Sequence, residues 1–238
     1  EITDIKAQKG PILKQDVDYT VIYKSGNKKV GKHSLEIVLK GNYSGSKKLN
    51  YNILPTKTSK ITPTCKTTSI KASWKKVTGA TGYKIELLNA KGKVVKKTHT
   101  TKTAYTFKKL SKLTIYKIKI TAYKTLDKKK VYSLDSTILT TSTAPEKVKI
   151  NKVTPGTKKA VVTWKKASKV SGYEITYSTS SKFKKAKTVT IKKAATAKTT
   201  IKKLTKGKTY YIKVRAYKTV DGKKVYGEWS AVKKAKIK

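Results

Sequence analysis

Tyr116-Lys-Ile-Lys-Ile-Thr-Ala-Tyr123 and Tyr210-Tyr-Ile-Lys-Val-Arg-Ala-Tyr217 spell one pattern twice, 94 residues apart. In the first, Tyr116, Ile118, Ile120 and Ala122 fall on one side, with Lys117, Lys119 and Thr121 on the other. In the second, Tyr210, Ile212, Val214 and Ala216 oppose Tyr211, Lys213, Arg215 and Tyr217. Strict alternation in a run rich in β-branched and aromatic residues marks a half-buried strand, because successive side chains of a strand point to opposite faces. No stretch of the chain carries a convincing helical period. The predicted class is all-β.

Working outward, the repetition widens. Trp74 and Trp164 stand 90 apart, as do Gly82-Tyr83 and Gly172-Tyr173. Lys-Lys-Val-Tyr recurs at 129–132 and 223–226, back at the 94 spacing. The change from 90 to 94 implies a four-residue insertion in the second copy, placed in the segment 178–187. Two copies of one module follow, residues 57–143 and 144–238, after a different segment, residues 1–56. The polar junction Thr-Thr-Ser-Thr-Ala-Pro at 140–145 is too short to be a floppy linker, so limited bending is expected.

Residues 1–56 read as three strands around Asp18-Tyr-Thr-Val-Ile-Tyr23, Lys32 to Lys40 and Leu49 to Leu54. Ser25-Gly26-Asn27 and Gly41-Asn42-Tyr43-Ser44-Gly45 are turn signals between them. So few residues are short for a sandwich. Either this unit packs on its neighbour or its first strands are missing. The chain starts at Glu1 and lacks Met, which suggests a piece of something longer.

Charge dominates the composition. There are 59 basic and 12 acidic residues, a formal charge of +47, and Arg215 is the sole arginine. Arginine offers a planar fork for phosphate or a guanine edge, whereas lysine is a hydrated point charge. A lysine coat therefore predicts diffuse attraction to polyanions rather than sequence-specific nucleic-acid binding. The lysines take the outward strand positions, Lys213 among them, where substitution should matter little. No apolar run is long enough to span a membrane. The hydrophobic share is 37%, which implies thin cores in which 15 Tyr and 3 Trp carry much of the burial.

Chemistry-bearing residues are few. His33 and His99 lie far apart with no clustered ligand, and Cys65 is the lone cysteine. Structural metal sites need several ligands together, so exposed strand histidines and a small buried thiol are expected. Asp16 and Asp18, at alternate strand positions, could face one way and bind Ca²⁺, but no oxygen-rich loop flanks them, and a turn-bonding role is preferred. A Lys–Asn isopeptide bond would need Asn42, Asn50 or Asn52 buried beside Glu36. Asn42-Tyr-Ser44 fits a glycosylation sequon, read as chance. No catalytic triad, phosphate-cradling glycine loop or dinucleotide fingerprint occurs. The expectation is a non-enzyme with no catalytic, metal or cofactor residues.

Trp74, Tyr83 and the Leu110…Tyr116 spacing, repeated as Trp164, Tyr173 and Leu204…Tyr210, resemble the fibronectin type III family. The resemblance implies that these eight residues form the core and the tyrosine corner of two sandwiches. Gly227-Glu-Trp229-Ser resembles that family's last strand; the first copy has Ser133-Leu-Asp-Ser instead. Residues 1–56, through Asp16-Val-Asp-Tyr-Thr-Val and Lys40-Gly-Asn-Tyr-Ser-Gly45, are similar to the back half of immunoglobulin-like repeats of Gram-positive gut bacterial surface proteins. Together these imply an elongated rod of immunoglobulin-like and fibronectin type III sandwiches, monomeric and extracellular, secreted or at a bacterial surface. Anionic cell-wall polymers are one expected partner. An extracellular glycan or host protein is the alternative, met by the loop 178–187 or by Tyr211 and Tyr217 on the outward side.

Overall fold

The computed structural model describes residues 12–24, 26 and 28–238; the turn residues Ser25 and Asn27 lie outside them. All regular elements in it are strands. The first unit is an antiparallel sheet of β1 (Tyr19–Tyr23), β2 (Gly31–Leu39) and β3 (Ser46–Ile53), with β2 central. It buries Leu13, Tyr19, Leu35 and Ile37 on one face. Among the described residues no second sheet covers it, and Ile22 and Tyr23 are exposed.

The next module pairs two sheets. β4 (Thr62–Cys65), β5 (Ile70–Ser73) and β8 (Ala104–Phe107) form one. The other holds β6 (Gly82–Asn89), β7 (Val94–Thr100), β9 (Ile115–Leu126), β10 (Lys129–Tyr132) and β11 (Thr137–Ser142). The last module repeats this topology. β12 (Ile150–Gly156), β13 (Lys159–Trp164) and β16 (Lys198–Lys202) make its smaller sheet. β14 (Gly172–Ser178), β15 (Lys187–Ile191), β17 (Thr209–Val220), β18 (Lys223–Tyr226) and β19 (Lys233–Lys236) make the larger. β6 and β7 are joined by residues 90–93, β14 and β15 by residues 179–186. The placement of the insertion wholly in 178–187 needs correction. Leu87 pairs with Lys96 and Tyr177 with Lys187, so the register moves by only one residue there. The other three extra residues lie between β15 and β16, where residues 192–197 replace 101–103.

The long strands β9 and β17 carry the strict alternation of inward and outward side chains. Ile118, Ile120, Ala122, Ile212, Val214 and Ala216 are fully buried between the sheets of their modules. At about 25 cal/mol per Å² of apolar surface removed from water, such rows are the main favourable term. Both sandwiches place a Trp against a Tyr at the core centre: Trp74–Tyr83 at 5.2 Å and Trp164–Tyr173 at 5.3 Å between ring centroids. The phenols of Tyr83 and Tyr173 accept hydrogen bonds from the Val77 and Ala167 N–H groups, both 2.9 Å. A buried Tyr thus keeps its polar end satisfied.

The corner tyrosines are fixed alike. Tyr116 and Tyr210 accept from the Ser111 and Thr205 N–H groups, each at 3.2 Å, while Leu110 and Leu204 are buried beside them. The Gly-Tyr repeat has a steric cause as well. A Cβ on Gly172 would lie 2.6 Å from the Tyr217 hydroxyl oxygen, and Gly82 meets Tyr123 in the same way. Each glycine lets a tyrosine of the adjacent strand lie flat across the sheet.

The resemblance of Gly227-Glu-Trp-Ser to a final strand needs correction. These residues form the link between β18 and β19, and the final strand is Lys233–Lys236. The Gly227 N–H donates to Ala216 O at 2.9 Å, and the Ser133 N–H to Ala122 O at the same distance. Both modules therefore break their edge at one place. Asp16 and Asp18 also lie in a turn rather than in a strand: Asp18 accepts from the Lys14 N–H at 2.8 Å, and Asp16 has φ 67°.

Candidate binding surface

Two joints connect the units. At the first, Lys32 meets Asp127 at 3.0 Å, Val30 packs over Gly79, and the Thr137 hydroxyl donates to Thr58 O. At the second, the whole run 141–145 is buried. The Thr143 hydroxyl donates to Ser111 O (2.8 Å) and accepts from the Thr114 N–H (3.0 Å), and the Ala144 N–H donates to Lys66 O (3.0 Å). Gly227 is held against Pro145, leaving no room for a Cβ. Leu113, at φ 47°, leaves its own module and packs on the core of the next. A bulky residue in the left-handed region is uncommon and persists where its surroundings over-determine it.

The outer face of the last module's larger sheet is not a plain solvated coat. Glu174 on β14 is buried there and faces Arg215 of β17 across the ladder. Its Oε2 accepts from Arg215 Nε (3.2 Å) and Nη2 (2.8 Å). Its Oε1 accepts from Lys224 Nζ (3.1 Å) and the Tyr226 hydroxyl (2.8 Å). Burial by itself would push the Glu174 carboxyl up. The hydrogen bonds from Arg215, Tyr226 and Lys224 and the guanidinium charge outweigh it and hold the group below the usual carboxylate range.

Cations and rings alternate above this carboxylate. The Arg215 guanidinium lies 3.6 Å from the Tyr226 ring centre and 4.3 Å from that of Trp229. Lys213 lies 4.0 Å from Phe183 and 4.9 Å from Trp229, and Lys224 lies 4.6 Å from Tyr217. Lys213, expected to be a spectator, is thus clamped between two rings.

Tyr217 was expected to be an exposed contact, and this is corrected: it is 3% exposed. It lies across Gly172, under Tyr226, with its hydroxyl 3.4 Å from Ile191 O. Tyr123 is buried likewise over Gly82. The edge strands β10 and β18 pair beside them and set Tyr132 and Tyr226 directly opposite Tyr123 and Tyr217. Each outward ring is thus covered by a cross-strand ring on one side and lies over a glycine on the other. Tyr211 is half-buried.

The remaining candidates stay dispersed. His33 contacts Lys29 O at 2.6 Å, whereas His99 contacts the Tyr132 hydroxyl at 3.1 Å in another unit. Burial, then Lys130, Lys97 and Lys84, push His99 down. Cys65 is half-buried, its Sγ 3.4 Å from Thr141 Oγ1; burial pushes the thiol up, against the nucleophilic form. Asn42, Asn50 and Asn52 are exposed, and Glu36 accepts from the Ser46 hydroxyl at 2.8 Å, so the buried triad of an isopeptide site is not assembled. Among the described residues no three His, Cys, Asp or Glu side chains group as metal ligands, and no helix is long and apolar enough to cross a membrane.

A family model described as the fibronectin type III domain matches residues 55–135 and 143–232. No curated protein matches. Among solved structures, the chain is similar to the FN1–FN3 domains of chicken CNTN1, at 18% identity over 87% of this chain and 78% of that one, with a TM-score of 0.48. It is also similar to a two-domain fibronectin type III segment of chicken tenascin, at 19% identity over 77% of this chain and 99% of that one, with a TM-score of 0.37.

Proposed function

On the premise that the chain belongs to the fibronectin type III family, we propose that it is a non-catalytic spacer that also holds a secreted bacterial protein at the cell wall. The carrying observation is the second joint. A linker buried over residues 141–145, hydrogen-bonded at Thr143 and Ala144 and wedged by Leu113, sets one geometry between modules. A flexible tether would leave that backbone to water. Such a tandem is typically a structural unit rather than an enzyme.

Retention follows from charge. A formal +47 spread over every unit is drawn to anionic wall polymers without a shaped site. The first three-stranded unit is read here as part of a bacterial immunoglobulin-like surface repeat, and the whole as extracellular and monomeric. The test is co-sedimentation of the chain with purified Gram-positive walls across a NaCl series. Binding should fall steeply over a few hundred millimolar salt and fail near 1 M, where the screening length is about 3 Å. Binding unchanged at that salt, or on walls stripped of anionic polymer, would refute diffuse retention.

A further inference from the structure

We infer that the last module carries a cleft for an anionic sugar, formed where the 179–186 loop rises beside the end of β16. The cleft holds about 500 Å³, within the range of small-ligand sites. Its floor includes the rings of Tyr177 and Tyr210, 6.2 Å apart and inclined at 49°, each half-buried on the core. Lys184, Lys185, Lys187 and Lys203 stand around it. Aromatic floor and cationic rim together suit a ring that is apolar on one face and carries a carboxylate or sulfate at its edge. Charge alone would not require the tyrosines, and a neutral sugar would not require the lysines.

The lip is built rather than loose. Ser178 is buried; its hydroxyl donates to Lys184 O (2.7 Å) and accepts from the Ser180 N–H (3.1 Å). The Phe183 N–H donates to Ser180 O at 3.0 Å, and the Phe183 ring is pinned by Lys213. Phe183 and Lys185 hold φ 54° and 48°, left-handed values for side chains that gain nothing from them locally. Such strain, held in place by surrounding bonds, orders a loop before a ligand arrives and so lowers the entropy lost on binding.

The first module shows what is particular here. Its corresponding link is the four residues 90–93, and the place of Tyr177 is taken by Leu87, fully buried. The lysines at 108 and 109 match those at 202 and 203. Charge is common to both modules, whereas the lip and the second ring belong to one.

The inference rests on the wall-polyanion reading only for where the ligand comes from. The experiment is an amide-shift NMR titration of the whole chain with a galacturonic acid trisaccharide, and separately with triglutamate as a charge-matched peptide. Saturable shifts confined to 177–187 and 202–210, with the sugar alone, are expected. Tyr177→Leu should weaken binding by about three- to tenfold, the effect of losing one aromatic contact. Leu87 already fills the equivalent core position, so this variant keeps the fold. Lys185→Ala, on the exposed lip, should weaken it by a similar factor. An equal response to triglutamate, shifts scattered over the lysines of both modules, no saturable shift, or affinity unchanged in both variants would each overturn the site. None of these results bears on wall co-sedimentation, which can fail while the cleft still titrates.

Discussion

Glu174→Gln is the sharpest probe of the outer face. The carboxylate is 6% exposed and serves four donors, two of them from Arg215. Gln keeps the volume but turns an amide N–H₂ toward donors, and it leaves two cations without their counter-charge. Breaking a fully buried pair from one side costs roughly 3–5 kcal/mol. Here the side chains of Arg215 and Lys224 retain 23% and 33% exposure, so both can rehydrate in part. The expectation drops to about 1.5–3 kcal/mol. For a module of this size that is a fall of roughly 6–24 °C in its melting temperature. Urea unfolding at pH 7 should show a lower midpoint with an unchanged m-value. The pH dependence has a fixed sign. The folded carboxyl titrates below its ordinary 4.5, so its contribution is complete above that value and is lost as pH falls through the folded pKa. Wild type and variant should therefore converge below pH 4.5. A variant within about 0.5 kcal/mol of wild type at pH 7, the range of ordinary surface changes, would refute the claim that the network stabilises the module.

Three further outcomes are expected. Trp164→Ala, at a site 1% exposed, should cost about 3–5 kcal/mol and unfold the last module first in a chemical melt, leaving the Trp74 environment native. Gly172→Ala must displace Tyr217 or the backbone at Ile191, and calorimetry should show a loss of roughly 1–3 kcal/mol. Leu113→Asn tolerates the left-handed φ but removes the apolar wedge. Solution scattering should then report a broader spread of inter-module separations, with both modules still folded; an unchanged profile would show that Leu113 does not set the joint.

Much of the inner architecture was legible because it depends on period two and on volume. Ile118, Ile120, Ile212 and Val214 alternate with lysines, and a strand with one wet face has no other economical way to place them. The size of the insertion was legible as a change in repeat spacing, but its place was not. Residues 192–197 carry most of it, and the sequence between the two anchored blocks offers no common landmark. The cover of the outer face was not legible either. Tyr217 and Lys213 read as exposed because alternation assigns only two faces, and nothing local announces that Tyr226 of the paired strand β18 and Trp229 of the following link cover one of them. Glu174 was missed for a related reason: in so lysine-rich a chain a lone Glu between Tyr173 and Ile175 reads as one more solvated charge. Its one sequence signal is a juxtaposition, since the sole arginine lies on the strand that pairs with it. The cleft beside residues 179–186 was visible only as a loop, because Tyr177 and Tyr210 are 33 positions apart and meet through sheet pairing.

The placement of the few acids follows from the same charge imbalance. With 12 carboxylates against 59 cations, no region can be neutralised, and self-repulsion opposes every close approach between units. Asp127 meets Lys32 across the first joint, and Glu146 meets Lys112 across the second. Exposed pairs of this kind hold little energy by themselves, so they cannot be what closes the joints. The buried run 141–145, Leu113 and the Val30–Gly79 contact do that. What the exposed pairs do is remove a like-charge contact where two lysine-coated ends must meet. Glu86 with Lys84 at 3.3 Å does the same along β6, and Glu174 with Arg215 and Lys224 does so across β14, β17 and β18. Salt should therefore act on the molecule in opposite directions. It weakens attraction to polyanions at the coat while relieving repulsion between units, so the chain should be more stable in the same high salt that detaches it from a wall.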